Sequence, residues 1–301
     1  MTTHRLEGQH IGGRGRLVDY SNLVKLPHTI FALPFALVGA TLASYHHRVD
    51  PWDVLLILAA FTSARFAAMG FNRIVDRAID ARNPRTQMRE IPAGKLSVGE
   101  ATAAVVAASA VFIFCAAMLN RVCLVLAPFA LGWILFYSYT KRFTRFAHLV
   151  LGLALAIAPV GAYLAVAGEW SRPPAALLVL AGGVLCWVAG FDILYSLQDI
   201  DFDRSQGLHS IPAALGLKGA LAFSRVLHLL SAAQFVSLGF LLPELGAAYF
   251  TGTAIIAGML LYEQSLVKSD DLSKIDAAFF NINGAISVVF FLIVLGERLF
   301  A

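Results

Sequence analysis

Charge is scarce in this chain. Asp, Glu, Lys and Arg make up 14% of its 301 residues, against about 25% in soluble globular domains. Apolar residues fill the deficit: 58% are hydrophobic and the mean hydropathy is +0.73. This excludes a disordered chain, a charged coiled coil and an ordinary soluble enzyme. Cysteine is almost absent. Cys115, Cys123 and Cys186 each sit in an apolar run, which excludes a disulfide framework and a thiolate metal site and leaves small buried hydrophobes. His28, His148, His209 and His228 show no metal-ligand spacing and read as hydrogen-bonding or interfacial residues. Residues 1–27 carry charges and glycines but no apolar core, so no cleavable signal is expected.

What the chain has in abundance is long apolar runs. Nine are near the length that crosses a hydrocarbon core: 28–46, 52–72, 100–119, 121–139, 148–168, 174–195, 219–240, 244–263 and 277–299. The expected fold is all-α: a polytopic bundle of about nine membrane helices with pseudo-repeated halves and a cytoplasmic cap. Residues 28–301 form one membrane-embedded domain in this reading, after a tail of residues 1–27. Of the 23 Lys and Arg residues, 17 fall in the tail and the even-numbered connections. Arg48, Arg121, Arg172 and Arg298 alone lie on the opposite side, and Arg65 and Arg225 fall inside spans. The imbalance puts the N-terminus and the even loops in the cytoplasm, with a bacterial inner membrane as the expected location. The net charge of +4 therefore points to topology and anionic substrates. Nucleic acid is not an expected partner.

Two of the cytoplasmic loops share a pattern. One reads Asn72-x3-Asp76-x3-Asp80, followed by Arg89-Glu90-Ile91-Pro92-Ala93. The other reads Tyr195-x3-Asp199-x3-Asp203, followed by His209-Ser210-Ile211-Pro212-Ala213. Residues four apart share a helical face, so each loop opens on a polar stripe. Like charges so spaced repel, and ionisable groups near a membrane core are costly. Two facing stripes thus call for cations between them. Oxygen ligands suit Mg²⁺, which takes one or two carboxylates and completes its shell with phosphate and water. The inferred ligand is a diphosphate bridged to the protein by Mg²⁺. A solvated acidic helix end is the plain alternative for one stripe; two of equal spacing on one side argue against it.

Arg65 and Asp192 lie seven residues, two turns, before Asn72 and Asp199. They read either as functional groups deeper in the bundle or as partners of one another. Tyr137-Ser138-Tyr139-Thr140-Lys141-Arg142 closes the fourth span. Its two cations suit an oxyanion, though topology signalling alone accounts for such charges. Lys25, just before the first span, carries the same ambiguity. The aromatic last span (Phe279, Phe280, Phe290, Phe291) reads as lipid-facing or core packing.

At these residues the chain resembles the UbiA superfamily of membrane prenyltransferases. The resembling segments are FNRIVDRAIDARNPRTQMREIPAGKLS (71–97), YSYTKR (137–142) and GFDILYSLQDIDFDRSQGLHSIP (190–212). The GFD opening is similar to the 4-hydroxybenzoate polyprenyltransferase branch. HTIFALPFALVGA and GLHSIP are similar to menaquinone-linked members of the futalosine route. The resemblance implies a polyprenyl diphosphate with its head at the two Asp motifs and its tail in a lateral opening to the lipid bilayer. Mg²⁺ draws charge from the leaving diphosphate, the allylic C–O bond ionises, and a hydroxylated aromatic acid attacks. Asn72, Asp76, Asp80, Asp199 and Asp203 would hold metal and diphosphate. Lys141 and Arg142 would neutralise the diphosphate or grip the acceptor's carboxylate. Asp192 and Arg65 would line the acceptor pocket, and Tyr195, Tyr139 and Lys25 complete the substrate-binding set. The acceptor is either 4-hydroxybenzoate or a dihydroxynaphthoate, in ubiquinone or menaquinone biosynthesis. Haem, chlorophyll or homogentisate prenylation fits the second motif less well.

A transporter relaying ions along acidic stripes is the rival from another class. Both stripes fall on one side of the membrane rather than near its midplane, which counts against it. Phosphatidyltransferases also use paired aspartates but need an Asp-Gly-x2-Ala-Arg segment, which does not occur here.

Overall fold

The computed structural model describes residues 11–13, 15–25 and 29–300; the side chains of residues 29–32 and 277 are not described. Arg5, Arg14 and His28, with residues 1–10 and 26–27 of the tail, lie outside the described residues. Among the described residues all regular structure is helical. A short helix α1 (Arg16–Leu23) precedes α2 (Thr29–Ala43), α3 (Pro51–Asp80), α4 (Val98–Leu119), α5 (Arg121–Thr140), α6 (Ala147–Ala167) and α7 (Ala175–Ser196). A 3₁₀ turn (Leu197–Asp199) joins α7 to α8 (Ile200–Ser205). Then come α9 (Ile211–Leu241), α10 (Ala247–Leu266), a π-helical turn (Ala277–Ile282) and α11 (Asn283–Phe300).

Each of the nine expected spans falls on a helix, and the protein is a multi-pass membrane bundle. Seven helical stretches are long and apolar enough to cross by that measure; α10 falls short of it, and α2 contributes an apolar helix of residues 33–43. The apolar surface lies where lipid would be. Phe129, Leu229, Phe240 and Leu261 are each at least 70% exposed, which a protein in water would not sustain on this scale. The most enclosed span contains α7, packed between α6 and α9. Its Leu180, Val184, Trp187 and Val188 meet Phe35 of α2, Phe235 of α9 and Phe290 of α11 in the main core. Cys115 and Cys186 are buried free thiols, as their apolar setting implies, and Cys123 is half-buried.

Small residues let the helices close on one another, as in membrane bundles generally. A Cβ on Gly39 of α2 would collide with the backbone carbonyl of Pro159 in α6. One on Gly152 of α6 would collide with the carbonyl of Leu185 in α7.

The internal repeat has a structural counterpart. Each polar motif ends a long helix, and each following helix opens with a serine N-cap. Ser97 Oγ accepts from the Glu100 amide at 3.2 Å, and Ser210 Oγ from the Ala213 amide at 3.2 Å. Two local features depart from the sequence reading. The tail contains α1, which packs on α3. The second stripe is also not one continuous α-helix, because the backbone tightens to 3₁₀ over Leu197–Asp199 and restarts as α8. The tighter turn rotates Asp199 and Asp203 relative to Tyr195.

Gly39→Ala is expected to lower stability by about 1–3 kcal/mol, because neither backbone can yield without separating α2 from α6. Gly161→Ala, with open space beside it, serves as the control and is expected to be neutral. Thermal unfolding in detergent micelles tests both; equal Tm values would show that the α2–α6 approach tolerates a methyl group.

Candidate active site

The first stripe occupies the last three turns of α3. Asn72 Nδ2 donates to Asp76 Oδ2 at 2.9 Å. Asp76 Oδ1 accepts from Arg142 Nη2 at 2.8 Å, and Arg142 also donates to the carbonyls of Ser138 and Val75 at 2.7 and 3.1 Å. Asp80 Oδ1 accepts from Arg89 Nη1 at 2.6 Å. The other oxygen, Asp80 Oδ2, is buried with no hydrogen-bond partner.

Beyond α3 the chain turns back on itself. Asn83 Oδ1 accepts from the Arg85 amide at 2.9 Å, and Thr86 Oγ1 donates to the Asp80 carbonyl at 3.2 Å. This turn aims Arg85 at the second motif. Its Nε and Nη2 grip Asp199 Oδ1 and Oδ2 at 3.0 and 2.6 Å, its Nη1 donates to the Tyr195 hydroxyl at 3.1 Å, and its guanidinium lies 5.2 Å from the Tyr195 ring centroid. Asn83 Nδ2 adds a further bond to Asp199 Oδ1 at 3.2 Å. Burial alone would pull the Arg85 pKa down. Asp199, then Tyr195, outweigh it and hold the guanidinium above its usual range.

Lys141 stands just beyond α5, facing the second motif. Burial pulls its pKa down, but Asp203 above all, with Tyr137, Asp192 and Asp199, raises it above the ordinary lysine range. Its carbonyl accepts from the His209 amide at 2.8 Å, tying the end of α5 to the second loop. Asp203 Oδ2 is buried without a hydrogen-bond partner, as Asp80 Oδ2 is. Each stripe therefore carries one buried carboxylate oxygen without a hydrogen-bond partner.

The facing stripes do not depend on a metal for charge balance, contrary to the expectation from their spacing. Arg142, Arg89 and Arg85 pair with Asp76, Asp80 and Asp199. Among the described residues no group of three or more Asp, Glu, His or Cys side chains converges closely enough to hold a metal by itself. The donor set still fits Mg²⁺. The donors are hard oxygens, two of them buried and unpartnered, and this ion takes few carboxylates when phosphate supplies the rest.

Arg65 and Asp192 form separate contacts. Arg65 donates to the Val24 carbonyl at 3.0 Å and contacts Met69 Sδ at 2.7 Å. It stands beside α1 with Arg73, whose Nε donates to the Leu23 carbonyl at 3.3 Å. Lys25 is buried in the same region. Its burial first, then Arg73, Arg89, Arg85 and Arg65, push its pKa well below the usual lysine value. Asp192 instead meets His148, with Oδ2 at 2.6 Å from Nδ1. Tyr139 is 43% exposed, edge-on to Phe71 and beside Arg142. Phe290 is core, as expected, but Phe279 stacks on Tyr195 with centroids 4.1 Å apart.

The sequence reading counted Arg73 and Arg85 as topology charges, used Arg89 besides only as the start of a repeated segment, and gave none of them, nor Asn83, a role in the site. The hint was present: Arg85 and Arg89 are four apart, the same interval that separates the aspartates within each motif.

Residues 32–285 match the UbiA prenyltransferase family. The 4-hydroxybenzoate octaprenyltransferase of Nitrosospira multiformis is 30% identical over 284 residues, covering 93% of this chain and 96% of the relative. The enzyme of that name from Vibrio parahaemolyticus is 29% identical over 264 residues, with 87% and 88% covered. Among solved structures, a UbiA homolog from Aeropyrum pernix K1 superposes with a TM-score of 0.80 at 38% identity, covering 91% of this chain and 97% of that one. A UbiA homolog from Archaeoglobus fulgidus, solved bound to GPP and Mg²⁺, shares the fold with a TM-score of 0.72 at 18% identity, with 92% and 99% covered. The paired aspartate motifs thus sit in a fold and a sequence context that agree, and the chain belongs to the UbiA prenyltransferase family.

Proposed function

We propose that this prenyltransferase moves a polyprenyl group from polyprenyl diphosphate to the ring of a hydroxylated aromatic acid, 4-hydroxybenzoate or a dihydroxynaphthoate, in ubiquinone or menaquinone biosynthesis. The observation that carries the reading is the pair of bare carboxylate oxygens, Asp80 Oδ2 and Asp203 Oδ2, one in each motif, with Arg89 paired to Asp80 and Lys141 in electrostatic range of Asp203. Acid oxygens beside cations are what a metal–diphosphate complex needs. Homologues named 4-hydroxybenzoate octaprenyltransferase and the GPP–Mg²⁺ complex of the Archaeoglobus homolog support it.

In this reading Asn72, Asp76, Asp80, Asp199 and Asp203 hold Mg²⁺ against the diphosphate. Mg²⁺ supplies Lewis-acid withdrawal of charge from the leaving group. The chain's own residues do the rest. Arg142, Arg89 and Arg85 neutralise the carboxylates and lie where phosphate oxygens would compete for the same guanidinium forks. Lys141 adds a point charge, and Lys25, Arg65 and Arg73 make the wall beneath α1 attractive to an anion. Asp192 receives the acceptor's hydroxyl and Tyr139 flanks the acceptor's entry.

Asp76→Asn and Asp199→Asn are each expected to lower transfer by roughly 100-fold or more while the protein still inserts. Transfer of labelled polyprenyl to a panel of aromatic acids in membranes measures this, and full activity at saturating Mg²⁺ would remove the metal role from that stripe. Arg85→Gln is expected to cost about 3–5 kcal/mol, because it strands the buried Asp199 carboxylate; an unchanged Tm in micelles would contradict the buried pairing. The site is expected to face the cytoplasm. Gln87→Cys, on an exposed turn, should react with an impermeant thiol reagent only in inverted vesicles, and labelling of intact cells would reverse the topology.

A further inference from the structure

We infer that His148 is the positioning residue of the acceptor end of the site, orienting Asp192 toward the acceptor's hydroxyl. The inference rests on the aromatic acceptor proposed above and adds a residue that the motifs do not include.

His148 is the second residue of α6 and is fully buried. Its Nδ1 lies 2.6 Å from Asp192 Oδ2, and its Nε2 is buried without a hydrogen-bond partner. A neutral imidazole carries one proton. Placed on Nδ1, that proton serves the carboxylate and leaves only a lone pair in the apolar wall. Placed on Nε2, it would be a buried donor with no acceptor, the costlier arrangement. The carboxylate therefore fixes the tautomer.

The burial of the pair is asymmetric. The Asp192 side chain keeps 17% of its surface exposed and that of His148 keeps none. Asp192 thus stands between a closed imidazole and the open side of the site. Tyr137 of α5 and Lys141 just beyond it are in electrostatic range of Asp192, and Asp203 is in range of His148. Asp199 is engaged by Arg85, and Asp203 is held chiefly by the field of Lys141. Asp192 is instead held through Oδ2 by the buried imidazole, which leaves its second oxygen for a ligand.

The chemistry balances without an added reagent. The allylic C–O bond breaks and its electron pair leaves on the diphosphate. A ring carbon conjugated with the acceptor's hydroxyl supplies the pair for the new C–C bond, and the hydroxyl proton passes to Asp192. Loss of the ring proton to water or to the departing diphosphate restores aromaticity, and the oxygen regains its proton from Asp192. His148 keeps its own proton throughout and holds Oδ2, so that the other oxygen faces the hydroxyl.

The test uses the full chain in lipid nanodiscs with 4-hydroxybenzoate, measuring transfer kinetics and acceptor binding by calorimetry. His148→Leu is expected to raise the acceptor KM, or lower kcat at saturating acceptor, by roughly tenfold, with the diphosphate KM within about twofold. His148→Asn, which keeps a donor near the Nδ1 position, is expected to restore most of the loss. In the His148→Leu/Asp192→Asn double variant the loss should match Asp192→Asn alone, since a unit is broken only once. Wild-type acceptor kinetics in His148→Leu, equal damage to both substrates, or multiplying losses in the double variant would overturn the inference. If His148→Leu fails to insert, a tenfold loss of acceptor use in His148→Asn does so. A wild-type protein that binds and prenylates no hydroxylated aromatic acid would overturn the parent reading instead.

Discussion

The grip of Arg85 on Asp199 organises the polar end of the bundle. A carboxylate buried at the end of a membrane helix must be paired or it is prohibitively costly. The partner comes from 114 residues earlier in the chain, through a fork that uses both carboxylate oxygens. To deliver it, the loop after α3 must fold inward, which the Asn83 turn and the Thr86 bond accomplish. The same fold carries Arg89 onto Asp80, so one loop neutralises a carboxylate of each motif. Tyr195 is then held from two sides, by the Arg85 guanidinium and by the Phe279 ring.

The membrane makes this constraint sharper. Between helices, lipid offers no hydrophobic drive, so close approach and polar pairing set the geometry. The glycines of α2 and α6 bring backbones together at Pro159 and Leu185, while α3 and α7 bring their polar ends to one mouth. The apolar faces of α4 and α5 are left to lipid, where Phe114 and Phe129 are largely exposed. The candidate site is thus a polar end of a bundle whose lateral faces are apolar.

This division explains what was legible in the sequence. Apolar runs of about 20 residues announce helices with little ambiguity, and each expected span became one. The repeated Asp spacing pointed to the candidate site because nothing in a membrane bundle otherwise requires it. The arginines of the loop were hidden, since positive charge beside a span already has a topological reason. Their pairing is tertiary, and no local periodicity encodes a contact over a separation of 114. The 3₁₀ turn at Leu197–Asp199 was hidden for a related reason: its residues are ordinary helix formers, and packing tightens them. His148 lay in an apolar run with no partner near it in sequence.

Charge balance sets a further condition on any ligand. Asp76, Asp80 and Asp199 are each met by an arginine, and Asp203 by the field of Lys141. A site already balanced pair by pair gains little from a bare polyanion, which would pull arginines from their carboxylates and leave those carboxylates stranded. A polyanion arriving with divalent cations is different. On the proposed reading Asp76, Asp80 and Asp199 would hold the cations in place of the guanidinium groups, and the freed guanidinium groups would be available to phosphate oxygens. Every charge then keeps a partner through the exchange, and no step requires an uncompensated carboxylate in a low-dielectric interior. On the proposed reading, the arginines that neutralise the stripes are also what makes the site selective for a metal–diphosphate complex over either component alone.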